Sequence, residues 1–384
     1  MAWLEPAPHP RGSMPRSIMK ACYRDELILI FPLLAGVLAF FSEDVVLGSG
    51  QPASLVAAAV LVGAIVMASV RVAKHAEHLA VRVGDPYGTM ILTLSAVAVE
   101  VIILAILLLD SGSKTLVRDT IYAAVMLDIN GLLGLAALLG GLRYGEQPHN
   151  NDSSRTYSVM ILTAMGISMV VPEFIPMAKW HYYSAFTIVA MVTLYALFLR
   201  MQVGQHSYFF SYAYTSSDRK QAQPHEEEHE DEGVPIGFSI GVILLGVVMI
   251  GGLAEIMSTF LDHGLEGSGA PPALMAVLVA AISAAPEILT ALRAALRNRM
   301  QAVVNIAMGA SLSTVILTVP VMEAIALFNG QPLTMAMTPV QTVMVTITLI
   351  AAAINLNDGE TNAIEGMTHF VLFGAFVMLT MLGL

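Results

Sequence analysis

The sequence predicts an all-α polytopic membrane protein of about eleven transmembrane helices, a first helix followed by two inverted five-helix repeats. Three observations carry this. Of 384 residues, 56% are hydrophobic and only 12% charged, whereas a soluble domain averages about 25% charged. Apolar runs of the length that crosses a bilayer, about 20 residues, recur along the whole chain. The lysines and arginines fall almost wholly on alternate loops.

The runs lie near 27–42, 54–80, 88–109, 118–141, 157–176 and 183–203, then 235–260, 272–298, 301–327, 335–356 and 363–383. The second is apolar only to Val70, after which "RVAKHAEHLAVRV" continues with an amphipathic pattern. With the N-terminus in the cytoplasm, 15 of the 18 basic residues fall on inner segments and Lys114, Arg118 and Lys179 on outer ones. That is a strong positive-inside bias, and it places the C-terminus outside. The expected organisation is a cytoplasmic tail (1–26), a first helix and loop (27–53), a five-helix unit (54–203), an acidic cytoplasmic loop (204–234) and a second five-helix unit (235–384). No small-residue cleavage site follows the first run, so it reads as a retained span.

Composition also excludes. A net charge of −11 argues against nucleic acid as a partner. The single Cys22 leaves no internal disulfide and no cysteine-based metal cluster. "HEEEH" (225–229) matches the zinc-hydrolase pattern H-E-x-x-H, but it sits in a string of acids in a polar loop. An enzyme is therefore not expected, nor a cofactor.

Five spans on each side of the acidic loop force the second unit to insert upside down relative to the first. Three matches in the same order support a duplication. "HAEHLA" (75–80) resembles "LAEIMS" (253–258), setting Glu77 against Glu255; "SAVAVEVIILA" (95–105) resembles "SAAPEILTALRA" (283–294); and "AVMLDINGLLG" (124–134) lies on "AMGASLSTVIL" (307–317), setting Asn130 against Ser313. Inverted repeats are a signature of secondary transporters, whose sites form near the midplane where the repeats meet.

Two carboxylates stand at that depth. Glu100 has nine uncharged residues on either side, and Glu287 follows Pro286 in the middle of its span. A charged side chain at a bilayer centre costs roughly 2.5–3.5 kcal/mol on insertion scales, and helix packing does not require one. Pro286 removes one hydrogen bond and frees a carbonyl near Ile282 or Ser283, a ready cation ligand. Thr89 and Thr93 lie on the face of Glu100; Ser283 and Thr290 lie on that of Glu287; the next helix carries Asn305, Gly309 and Ser313, with Ser311 and Thr314 close by. Oxygen-rich surroundings of this kind suit hard cations such as Ca²⁺ or Na⁺. The bland alternative is that small and hydroxylic residues merely let helices approach.

Other polar residues are ranked below these. Glu77 and Glu255 are candidates for an access path or a helix end. Asp128 could be a further ligand or proton site, but it stands two residues before Asn130, about 200° around an α-helix. Local unwinding would be needed for both to reach one site. Glu173 and Glu323 read as interfacial, and Gln341, Thr348 and Asn355 as a packing or cavity-lining stripe.

The segments "GDPYGTMILTLSAVAVEVIILAILL", "RDTIYAAVMLDINGLLGLAALLGG" and "PEILTALRAALRNRMQAVVNIAMGASLSTVILTVPV", with the acidic run between them, resemble the calcium/cation antiporter superfamily. The resemblance is to the ChaA-like cation/proton antiporters of the Ca²⁺/H⁺ exchanger branch, in the expected order over residues 70–330. It implies eleven spans, a five-plus-five inverted repeat, and exchange of cytoplasmic Ca²⁺, Na⁺ or K⁺ for protons across a bacterial inner membrane. It also implies that Glu100 and Glu287 bind cation and proton in turn. The residue pattern itself adds Asn130, Ser311 and Ser283 as candidate metal ligands, and Glu77, Glu255, Asp128, Ser313 and Asn305 as candidates for the proton and cation pathway. The sequence departs where exchangers usually carry Gly-Asn before each central glutamate. Ala96 and Val97 stand there in one repeat, Ser283 and Ala284 in the other, and Ile288 replaces a histidine. A cation channel, or transport not coupled to protons, is the alternative.

Overall fold

Apolar length and composition put helices where hydropathy predicts them. The computed structural model describes residues 26–83, 87–111, 115–203, 235–269, 271 and 273–384. The HEEEH motif and the acidic run 225–232 lie outside those residues, as does nearly all of the N-terminal tail. The helices are α1 (Ile30–Gly48), α2 (Gln51–Val83), α3 (Tyr87–Ser111), α4 (Leu116–Tyr144), α5 (Asn151–Phe174) and α6 (Trp180–Val203), followed by α7 (Ile236–Leu265). Then come α8, broken into α8a (Ala273–Ser283) and α8b (Ala285–Ala295), α9 (Met300–Asn329), α10 (Pro339–Asn355) and α11 (Ala363–Met381). Eight of these are long and apolar enough to span a membrane, and α8 makes a ninth if its bent halves form one span. The apolar parts of α3 (Thr93–Leu108) and α10 are shorter. The chain is a polytopic helical membrane protein.

The helices α4 and α9 run through the centre and are the most buried, whereas α1 and α6 stand at the periphery. Helix α2 packs along α7, α6 along the second half of α9, and the second half of α4 along α11. Without a hydrophobic drive between helices in lipid, close approach relies on small residues. At the α4–α11 contact that approach is backbone to backbone. A Cβ on Gly366 would stand 2.2 Å from the Leu138 nitrogen, and one on Gly141 would stand 2.3 Å from that of Ala363.

Loops expected on one side of the membrane touch one another. A two-residue antiparallel pairing, Gln147–Pro148 with Glu360–Thr361, ties the α4–α5 loop to the α10–α11 loop. Gln147 Nε2 donates to the Ala295 carbonyl (3.0 Å) and to Asn298 Oδ1 (2.9 Å), adding the α8–α9 loop. On the opposite side Arg118 donates to the Ala336 carbonyl (3.0 Å), and Gln341 Nε2 donates to Asp119 Oδ1 (2.9 Å).

Three helices carry one π-helical turn each: Leu127–Leu132 in α4, Gly166–Val170 in α5 and Thr314–Thr318 in α9. Such turns occur mostly as single-turn bulges and often mark functional sites, because they re-aim side chains.

Candidate ion-binding site

The α4 and α9 bulges flank a buried polar centre. Glu100, halfway along α3, is 5% exposed. Thr314, the first residue of the α9 bulge, donates from Oγ1 to Glu100 Oε2 at 2.9 Å. Thr318 closes the bulge beside the same carboxylate, although its buried hydroxyl lacks ordinary hydrogen-bond geometry to any partner. Glu100 Oε1 is buried with no partner.

Glu287 lies in the first turn of α8b, where the chain bends by 57° at Ser283 and Ala284. Pro286 cannot donate a hydrogen bond, so the α8a ladder ends there, as the sequence predicts. The α8b N-terminus then directs its partial positive charge at the Glu287 carboxylate. Glu287 is partly exposed and interacts electrostatically with Glu100 and Asp128.

Asp128, the second residue of the α4 bulge, is 2% exposed. Ser311 of α9 donates to its Oδ2 at 3.3 Å, and its Oδ1 is buried without a partner. Glu100 of α3, Glu287 of α8 and Asp128 of α4 are thus near enough to influence one another electrostatically. Among the described residues no three of His, Cys, Asp and Glu converge tightly enough to hold a metal ion as they stand. A transported ion would have to draw them in.

The other candidates divide. Asn130 does not face the carboxylates: its Nδ2 donates to Thr348 Oγ1 at 2.7 Å, and its Oδ1 pairs with His369 Nδ1 at 2.9 Å. Ser283 and Ser313 spend their protons on carbonyls of their own helices, Ala280 (3.0 Å) and Gly309 (2.7 Å), leaving lone pairs for a cation. Asn305 Oδ1 accepts from Gln301 Nε2 (2.8 Å), and Gln301 reaches the α4–α5 loop at Asn150 and α5 at Ser153. Glu77 is exposed on α2. Glu255 is exposed too, lining a groove between α1 and α7 with Glu43.

Glu323 is a correction. It is 2% exposed rather than interfacial, and Ser184 of α6 donates to it at 3.4 Å. The α6 packing covers this end of α9, which linear distance to a loop does not reveal. Gln341 and Thr348 do face inward, as a stripe that binds α10 to α4. Sequence reasoning missed His369, a lone histidine in the last apolar run, and the cluster of Glu26, Arg71, His75 and Ser239. There Arg71 pairs with Glu26, and His75 bridges Glu26 (2.9 Å) and Ser239 (3.2 Å), joining the start of the first span to α2 and α7. For these residues only the presence of polar atoms in apolar runs gave a signal.

The chain has relatives in sequence and in fold. Residues 53–204 and 238–382 match the sodium/calcium exchanger protein family. The chain belongs to that family. It is 32% identical to the putative ionic transporter y4hA of Sinorhizobium fredii, over 91% of this chain and 95% of that protein. It is also 32% identical to the sodium-potassium/proton antiporter ChaA of Escherichia coli, over 92% of this chain and 95% of that one. Among solved structures, native YfkE superposes with a TM-score of 0.71 at 20% identity, covering 92% of this chain and 99% of its own. The H⁺/Ca²⁺ exchanger CAX superposes with a TM-score of 0.65 at 16% identity, covering 92% and 88%. Members of the family are transporters whose ions are substrates, so this exchanger is not an enzyme and requires no cofactor. It is an integral membrane protein.

Proposed function

We propose that the protein exchanges cytoplasmic Ca²⁺, Na⁺ or K⁺ for external protons by alternating access, with Glu100 and Glu287 binding cation and proton in turn. The observation that carries this reading is that Glu100 of the first half is buried and held by Thr314 of the second, with Glu287 of the second half near enough to act on it electrostatically. A bare carboxylate at that depth is costly, so each state neutralises it with H⁺ or a metal cation. Asp128, Ser311, Ser313 and Ser283 supply further oxygen to the ion. Asn305, near the α4–α5 loop, belongs to the cytoplasmic approach, and Glu77 and Glu255 to the two outer ends of the route.

The two glutamates sit in units 54–203 and 235–384, which we read as inverted repeats inserted in a bacterial inner membrane, N-terminus inside and C-terminus outside. The sidedness rests on the basic-residue bias alone; the loop contacts support only that those loops share a side. Rigid-body rocking of the units around a fixed central site is the motion such repeats support.

The test is proton movement in proteoliposomes under imposed Ca²⁺, Na⁺ and K⁺ gradients. Cation uptake against its gradient, driven by a pH gradient, is the expected result. Cation flux with no proton coupling would replace the reading with a channel or an uncoupled transporter.

A further inference from the structure

We infer that Asp128, and not Asn130, supplies the third acidic or amide ligand of the transported ion, and that it biases the site toward a divalent cation. The inference deepens the exchange reading above and rests on it. Both residues lie in the α4 bulge, Leu127–Leu132, and both are buried. The bulge sends them to different neighbours. Asn130 has both ends of its amide engaged, its Nδ2 by Thr348 of α10 and its Oδ1 by His369 of α11. Its Oδ1 is turned to His369, so reaching an ion beside the carboxylates would mean turning away from a buried imidazole whose other nitrogen already lacks a partner. A buried group left unsatisfied in this way is strongly disfavoured.

Asp128 is in the opposite situation. Its Oδ2 accepts from Ser311, and its Oδ1 is buried with no hydrogen-bond partner, in a residue only 2% exposed. The charged groups that bear on it are Glu287 of α8 and Glu100 of α3, and both repel it. Glu100 likewise has one oxygen, Oε1, buried and unpartnered. A buried carboxylate oxygen without a donor requires an explanation. Two such oxygens on mutually repelling acids describe a place where positive charge belongs.

The count of oxygens and charges then selects the ion. Ca²⁺ takes six to eight oxygens, with carboxylates prominent among them. The carboxylates of Glu100, Glu287 and Asp128, with the hydroxyls of Thr314 and Ser311, provide such a set. One monovalent ion leaves more of that negative charge uncompensated in a low-dielectric centre than one divalent ion does. Asp128 is thus a specificity-determining ligand.

The test compares Asp128→Asn with wild type in two measurements: equilibrium ⁴⁵Ca²⁺ binding to the purified protein, and Ca²⁺ against Na⁺ competition for exchange in proteoliposomes. We expect Ca²⁺ binding to weaken by about tenfold or more, each lost 1.4 kcal/mol being tenfold, and the Ca²⁺-to-Na⁺ preference ratio to shift toward Na⁺. Asp128→Glu should restore part of the Ca²⁺ preference. Unchanged Ca²⁺ binding and preference in a folded Asp128→Asn protein would overturn the inference. Should that variant not fold, carbodiimide modification of the wild type, mapped by peptide mass spectrometry, decides. Ca²⁺ should protect Asp128 along with Glu100 and Glu287, and protection of the two glutamates alone would overturn the assignment. If the wild type neither binds nor exchanges any cation, the exchange reading itself falls, which is a separate outcome.

Discussion

Thr314 Oγ1 donates to Glu100 Oε2 at 2.9 Å, so a hydroxyl from α9 holds the carboxylate of α3 across the join between the two halves of the chain. Glu100 Oε1 has no partner. Thr314→Val keeps the shape and removes this hydrogen bond, leaving neither carboxylate oxygen with a well-formed one among the described residues. A buried group so stranded costs about 1–3 kcal/mol, more when charged. We predict a lower melting temperature in detergent and slower exchange, with Thr314→Ser close to wild type. Equal melting temperatures for the valine and serine variants would count against the bond.

Glu100→Gln and Glu287→Gln should each abolish exchange while leaving the protein inserted and folded. Glutamine mimics the protonated carboxyl in size and hydrogen bonding, but it cannot release a proton to water and become an anionic ligand for the cation. The measurement is cation-driven proton movement in proteoliposomes, normalised to protein recovered in the membrane. Near wild-type rates in either variant would remove that glutamate from the mechanism.

Gly366 lets α11 lie against the α4 backbone. A methyl group there would meet the Leu138 nitrogen at 2.2 Å, a backbone atom that no side-chain rotation can clear. Gly366→Ala must therefore push the helices apart and strain the nearby Asn130–His369 contact. Overpacking of this kind typically costs about 1–3 kcal/mol. Thermal unfolding should fall accordingly, whereas Gly374→Ala, with open space around it, should leave it unchanged.

His149 gives the loop network a pH dependence. It lies between α4 and α5, where Nε2 donates to the Leu356 carbonyl at 3.3 Å and Nδ1 is buried without a partner. Burial holds its pKa below the ordinary value, outweighing the Leu356 carbonyl and the Asp358 charge, which pull it up. The unfolded chain therefore binds this proton more readily than the folded one. Its contribution to stability is complete above the ordinary histidine value of about 6.5 and is lost as pH falls through the depressed folded value. His149→Gln, which keeps a donor for Leu356, should flatten the decline in melting temperature on acidification. A wild-type and variant decline of equal slope would place the acid sensitivity elsewhere.

What the sequence determines by itself is one-dimensional. Apolar run length places the helices, because a bilayer of fixed thickness demands it, and the helices observed coincide with the runs. Pro286 announces the break in α8 because a residue without an N–H ends the ladder wherever it stands. Glu100 and Glu287 are legible for the same reason: a carboxylate amid apolar neighbours is anomalous at any rotation of its helix. Rotation is what the sequence leaves open. From the sequence Asp128 is the lesser candidate ligand and Asn130 the better one. Only the contact of α4 with α9 on one side and with α10 and α11 on the other sends the first to Ser311 and the second to His369. The burial of Glu323 was decided in the same way, by α6 lying over it. Side-chain direction in a bulged helix depends on which neighbours fill the space around it, and those neighbours come from segments more than a hundred residues away.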